Sequence, residues 1–452
     1  MQLKIIILIL LLMAGGSQIT EAKKKEQDKD PTSIKISIIA DPHYFNPSLG
    51  TGGSCFNEYL KKDRKMIAES DAIINSAIGS LENDDSDIIL IPGDLTKDGE
   101  LASHKEFADK LKKLEKSGKK VFVIPGNHDL NNPEAYTYSG DTCFSTESVS
   151  PGEFTDIYHD FGYGDAIAKD PNSLTYFAEA QPGLWILGID DNKYEKNYKL
   201  GKEEVGGRIK ESTLIWIEDH LKEAQKQGIM VVAMMHHGLL EHFDGQKQIF
   251  NDYVIDDWES IAKRFALAGL RIVFTGHFHA QDISSMHLPD GSFIYDIQTG
   301  SLLTYPCPYR KLTIKERSKG IIETKHIENI EYDLNGVGFQ EYAKDFLRIG
   351  IESIAGMLLD KFGMSQDEKA NVMPLIIEGL MNHYKGDEFA DEEMLSKIEE
   401  LKQSDLALKQ LIGRLLSSIW MDLPPADNNL EIDLESGTAV QLTHSIKRSL
   451  KN

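Results

Sequence analysis

Cysteine is scarce in this 452-residue chain, whose three thiols are Cys55, Cys143 and Cys307. Their spacings match no metal motif, which excludes a cysteine zinc site, and three thiols allow at most one internal disulfide. Positive charge is also short: 49 Lys and Arg stand against 72 Asp and Glu, for a formal net charge of -23. Long nucleic acids are gripped by Lys and Arg that displace counterions from phosphates, so this balance argues against such a partner and for a small ligand. Long apolar runs are lacking too. The run from Ile5 to Met13 is too short to span a bilayer.

That run follows Lys4 and precedes Thr20-Glu21-Ala22, so residues 1–22 read as a secretory signal. The expectation is an exported protein, whether extracellular, periplasmic or at the cell surface, with no stable membrane span once the signal is removed. The following KKKEQDKD reads as a solvated tether. Export permits a disulfide without requiring one.

With 41% apolar and 27% charged residues the composition is that of a globular protein, and the length exceeds what one core usually supports. From about residue 33 to 330, short β-branched runs alternate with amphipathic stretches. SIKISIIA, DIILIPG, KVFVIPG, GIMVVAMM and RIVFTG are almost continuously apolar, as strands buried on both faces should be. Helical spacing is predicted over 64–82 and 101–114, and a β-hairpin around Pro289-Asp290-Gly291. The alternation predicts an α/β fold. After the turn at Asp333-Leu334-Asn335-Gly336, residues 335–421 carry apolar stripes at three-to-four spacing and are expected to form a helical domain. Pro424-Pro425 stops them, and 424–452 is expected to be a loosely held tail.

Five predicted strands end in oxygen or imidazole donors: Asp41-Pro42-His43, Gly93-Asp94, Gly126-Asn127-His128-Asp129, His236-His237 and Gly276-His277-Phe278-His279. Singly each signal is weak, readable as a turn with a surface histidine, a helix cap, loop polarity or partly buried histidines, and Gly276-His277-Phe278-His279 is the sharpest of them. Together they converge, because ligands of an open α/β sheet bind beyond the carboxyl ends of its strands. Two divalent ions about 3.5–4 Å apart can activate water and clamp a phosphoryl group, which suits such donors. With no thiolate present, the set suits Mn, Fe, Zn or Co.

These blocks, in this order, resemble the calcineurin-like metallophosphoesterase superfamily. The resemblance implies a β-sandwich flanked by helices and two divalent metal ions. It assigns Asp41, His43 and His279 to one ion and Asn127, His236 and His277 to the other, with Asp94 bridging both and His128 meeting the substrate. It prefers His236 over His237. Asp98 and Asp129 are candidates for orienting a histidine, although each reads equally as a solvated loop acid. His104 reads as a surface helix position, and His159, His220, His242, His287, His326, His383 and His444 are taken as non-functional. Gly93-Asp94 continues as Leu95-Thr96-Lys97-Asp98 rather than as the Val-Asp-Arg-Gly of protein phosphatases. That wording is similar to the class III cyclic-nucleotide phosphodiesterases, and the added helices to exported bacterial members. The expected substrate is a small phosphodiester, cyclic nucleotides included. A phosphomonoesterase or nucleotidase on the same metal site, and a partner-binding protein with a vestigial site, are the alternatives. The helical stripes also leave a protein partner or a dimer open.

Overall fold

The computed structural model describes residues 33–442. The expected signal over 1–22 and His444 lie outside the described residues.

Two seven-stranded mixed sheets face each other. On one side of the first, Ile34–Ile38, Ile88–Pro92 and Lys120–Ile124 run parallel, the last at the edge of the sheet. At the centre of the second, Leu184–Gly188, Met230–Met234, Ile272–Thr275 and Phe293–Gln298 do the same. Antiparallel strands complete the first sheet on its other side and flank the centre of the second, including the expected hairpin of Asp282–His287 with Phe293–Gln298. Ile36, Ile38, Leu90 and Val123 from one sheet share a core with Val232, Met234, Phe274 and Tyr295 from the other. Helices Ser70–Asn83 and Leu101–Lys116 pack into this core, and Glu211–Lys226 and Trp258–Leu267 into a second core on the other sheet. The five sequence-predicted strands all belong to the parallel parts of the two sheets. That is the setting in which a strand buried on both faces loses its alternation.

Two local expectations change. The helix predicted from residue 64 begins at Ser70. Met66 and Ile67 are buried without it, because the Met66 N–H donates to the Leu303 carbonyl at 3.0 Å and lays the segment across the fold. The loose tail over 424–452 is corrected: Asn429–Asp433 pairs with Lys319–His326, and Ala439–Gln441 extends the sheet. Leu430 and Ile432, hidden among polar neighbours, supply the apolar face of that strand. Gln366–Lys385 is helical, as the spacing over 335–421 predicts, and carries Pro374 within it.

Helices Phe339–Lys361, Gln366–Lys385, Glu392–Lys402 and Ala407–Ile419 form the C-terminal helical region. It docks through Tyr342 Oη, which donates to Glu69 at 2.6 Å, and through Gly350, which lies against Arg64. A cavity of about 460 Å³ separates part of it from the sheets, lined by Arg64, Tyr253, Phe278, Leu358, Leu411 and Leu415 among others. Cys55 and Cys143 form a disulfide between helix Ser54–Leu60 and strand Thr142–Ser145, and Cys307 is free and buried. Among the described residues no helix is long and apolar enough to cross a membrane.

Candidate metal centre

The donors sit where the parallel strands stop. Asp41, His43, Asp94, His277 and His279 all have φ between 37° and 67°. Non-glycine residues rarely adopt this left-handed region, Asp and His more readily than most, and each costs of the order of 1–3 kcal/mol. The tight turns aim the side chains inward, and glycine makes room for them. A Cβ on Gly126 would stand 2.2 Å from Asp94 Oδ1, and one on Gly276 would stand 2.4 Å from Asp41 Oδ2.

Seven of the singled-out side chains meet in one buried pocket. Asp41, His43, Asp94 and His279 offer donor atoms that all lie within 4.8 Å of one another. His43 Nε2 and His279 Nε2 are 3.1 Å apart. On the other side, His236 Nε2 lies 3.0 Å from Asn127 Oδ1, and the His236 and His277 rings are 4.8 Å apart. Asp94 stands between the halves, its Oδ2 3.5 Å from His43 Nε2 and 3.4 Å from His236 Nε2. The Asp41 carboxylate accepts the His277 N–H at 3.0 Å, so the two outer blocks lock together.

His128 stands at the edge. Its N–H donates to Asp94 Oδ1 at 3.0 Å, its Nδ1 pairs with Asp98 Oδ1 at 2.8 Å, and its side chain is 18% exposed, so the remaining ring nitrogen is left toward the opening. Asp98 is in turn held by the buried Lys97 ammonium. Asp129 touches no histidine of the pocket; it accepts the N–H groups of Gly126, Leu95 and Thr96 and joins two donor loops.

His237 has both nitrogens engaged, Nδ1 with Asp191 at 3.1 Å and Nε2 with the Val205 carbonyl at 2.7 Å, whereas His236 Nε2 faces the other donors. His104 is fully buried rather than a surface position. Its nitrogens lie 3.1 Å from Thr96 Oγ1 and 2.9 Å from Tyr158 Oη, because the Leu101–Lys116 helix turns that face inward. His242 and His383 are also buried, each against carboxylates.

Sequence reasoning missed two groups. Asp191 accepts the His236 and His237 N–H groups, and the apolar run Leu184–Gly188 ending in Ile189-Asp190-Asp191 signals a sixth donor-bearing strand. Lys65 is buried beside Asp63 at 3.5 Å, and its charge reaches His43, His128 and His279. No local pattern marks it.

Burial holds His43, His277 and His279 well below the usual histidine range, so their nitrogens present lone pairs. Burial works against a charged His236 and His128, yet Asp94 overcomes it and lifts them to about 10 and about 9. Burial raises Asp41 to about 8, with His236 opposing. For Asp94 the cost of burial is outweighed by His236, His128 and His43, and its carboxyl stays well below the usual range. The neutral imidazoles of His43, His277 and His279, packed with His236 and Asn127 against the carboxylates of Asp41 and Asp94, form a donor set that fits divalent cations. Without sulfur or a distinct geometry, it does not select one metal.

The calcineurin-like phosphoesterase profile matches residues 34–281, more than half of the chain and the whole span of the five donor blocks. The chain is 24% identical over 258 residues to 3',5'-cyclic adenosine monophosphate phosphodiesterase CpdA of Vibrio vulnificus, covering 56% of this chain and 73% of that protein. Among solved structures it is similar to a dimetal phosphatase from Danio rerio, at 14% identity and TM-score 0.45, over 67% of this chain and 98% of the other. A purple acid phosphatase PPD1 from yellow lupin follows at 12% identity and TM-score 0.39, over 65% and 52%. The protein belongs to the calcineurin-like phosphoesterase family, whose members hydrolyse phosphate esters and typically use a dinuclear metal site.

Proposed function

We propose that this protein is a two-metal phosphodiesterase acting on small diesters, cyclic nucleotides among them. One observation carries the reading: Asp94 stands between two clusters of lone-pair donors, 3.5 Å from His43 and 3.4 Å from His236. In it Asp41, His43 and His279 hold one ion, Asn127, His236 and His277 the other, and Asp94 is shared. The ions supply Lewis acidity, activating water and neutralising the phosphoryl oxygens.

The protein's own groups do the rest. Asp98 fixes His128 through Nδ1, which leaves the other nitrogen to hand a proton to the departing oxygen. The Asp98 carboxylate beside Nδ1 also favours the charged form of this imidazole. Lys65 adds a positive charge beside His43 and His279, where an anionic substrate would sit. Asn127 contributes a neutral oxygen and so leaves the pocket less negative than a carboxylate would. The diester preference is supported by the Gly93-Asp94-Leu95-Thr96 wording and by the name of the Vibrio relative. Export is supported by the Cys55–Cys143 disulfide, which belongs in oxidising compartments.

The test is product release from bis(p-nitrophenyl) phosphate and from 3',5'-cyclic AMP, with Mn, Fe or Zn supplied, beside p-nitrophenyl phosphate. Diester turnover that disappears on chelation and returns with metal is the expected result. No turnover of either diester with any of the three metals rejects the reading. Monoester turnover at least tenfold better per molar substrate replaces it with a phosphomonoesterase.

A further inference from the structure

A second cluster of metal-type donors lies away from the candidate metal centre, where the C-terminal helices meet the second sheet. Three separate segments build it. Asp282 opens the strand that follows the His277–His279 loop, His383 and Glu388 bracket the end of helix Gln366–Lys385, and Asp422 and Asp427 follow the last helix. Asp282, His383 and Glu388 offer donor atoms that all lie within 4.8 Å of one another, and Asp387, Asp422 and Asp427 do likewise. Asp282, His383, Glu388 and Asp427 are buried.

The cluster is too negative for its surroundings. Counting the adjoining Asp296, six carboxylates gather here. Two positive groups face them. His242 bridges Asp282 at 2.7 Å and Asp296 at 3.2 Å. The buried Arg310 guanidinium donates to the carbonyls of Gln298, Asp282 and Asp427 and to the Thr324 hydroxyl. Neither has a hydrogen bond to Glu388 or Asp422. Carboxylates crowded together in a largely buried place are expensive to keep ionised unless a positive charge stands among them.

Unpartnered atoms mark where the missing charge belongs. His383, 1% exposed, pairs through Nδ1 with Glu388 and leaves Nε2 without a partner; Glu388 Oε2 and Asp422 Oδ1 have none either. The backbone holds the carboxylates in place: Asp427 accepts the Ile283 N–H at 3.1 Å and the Asp387 N–H at 2.5 Å. At Gly386, φ is 73° and a Cβ would stand 2.6 Å from the Gln281 carbonyl, so the turn carrying Asp387 and Glu388 is pressed onto the strand.

We propose that Asp282, His383 and Glu388 bind a divalent cation distinct from the catalytic pair, supported by the negative charge of the adjoining Asp422 and Asp427, and that this cation fastens the C-terminal helices to the catalytic sheet. A shell of carboxylates with one imidazole suits Mn or Zn. The His383 ring lies 5.4 Å from the Phe278 ring, so the cation would sit behind the loop that presents His277 and His279. It would be structural, since its donors are separate from those of the candidate metal centre, and it does not depend on the substrate proposed above.

The experiment is metal analysis of the full chain after loading with Mn or Zn and gel filtration, comparing wild type with Asp422→Asn and with the double substitution His383→Gln, Glu388→Gln. Wild type is expected to carry about one equivalent per chain more than either variant, and chelation is expected to make the C-terminal helices at least tenfold more susceptible to limited proteolysis. Asp422 is partly exposed, so its conservative variant should fold even if the buried double variant does not. Equal metal content in wild type and Asp422→Asn, with unchanged proteolysis on chelation, overturns the proposal and leaves protonated carboxylates as the explanation. Loading by calcium alone overturns the place of His383 in the shell.

Discussion

The strand ends and the C-terminal helices use the same chain in opposite ways. At the strand ends, five donor residues hold left-handed backbone, and glycines stand where a Cβ would strike a ligand atom. Almost every side chain there has one permissible identity. In the helices, side chains such as Ile349, Leu358, Phe362 and Leu411 are half exposed or more. Their positions are set by period rather than by chemistry, so many residues would serve. The difference teaches where substitution should be lethal to activity and where it should be nearly silent.

The largest effect is expected at Asp94, the one side chain common to both halves of the pocket. Asp94→Ala should reduce diester turnover to background while the protein still folds, measured by product release and circular dichroism. Wild-type rates in this variant would dissolve the contrast. His128→Asn comes next, with an expected loss of about 10²–10⁴-fold in kcat, the usual range for removing a general acid. Its metal content should be unchanged, because His128 stands beside the donor set rather than within it. A loss of metal would make His128 a ligand and move the boundary of the site.

Legibility follows the same division. The five strands are legible because parallel pairing within a covered sheet demands continuous apolar runs, and the donor blocks because each follows such a run. Asp191 obeys the same rule, but its role is to accept the His236 and His237 backbone N–H groups, and that contact depends on how two strands lie side by side. Lys65 carried no signal at all; its place depends on how residues 63–67 cross the fold. His383 and Glu388 looked like ordinary helix-end polarity, and their meeting with Asp282 joins positions about a hundred residues apart. The described part of the tail is illegible as strand because its two strands are only five and three residues long, and only pairing with Lys319–His326 gives Leu430 and Ile432 a buried face.

A smaller effect should separate His104 from the surface histidine it resembles in sequence. Burial lowers its pKa to about 3, so the folded protein disfavours its protonation. The unfolded chain takes up that proton near pH 6.5, and its contribution to stability is therefore intact above pH 6.5 and lost as the pH falls toward 3. The slope is at most about 1.4 kcal/mol per pH unit. Urea unfolding between pH 7 and 5 should be less pH-dependent in His104→Gln than in wild type. Identical slopes would place the imidazole in water and remove it from the rigid side of the comparison.

The smallest effect is the one that tests the tolerant side. Leu411 and Leu416 belong to the same helix, but Leu411 is 53% exposed at the rim of the cavity, whereas Leu416 is 1% exposed within the helical core. Leu416→Ala should destabilise that region by about 2–5 kcal/mol through lost burial and the void left behind. Leu411→Glu should stay within about 0.5 kcal/mol of wild type, since it replaces no buried contact. Neither should change kcat on a diester when measured on folded protein, because neither side chain reaches the donor pocket. A large loss of stability in Leu411→Glu would show that something covers the rim in solution, and that this face is as constrained as the strand ends.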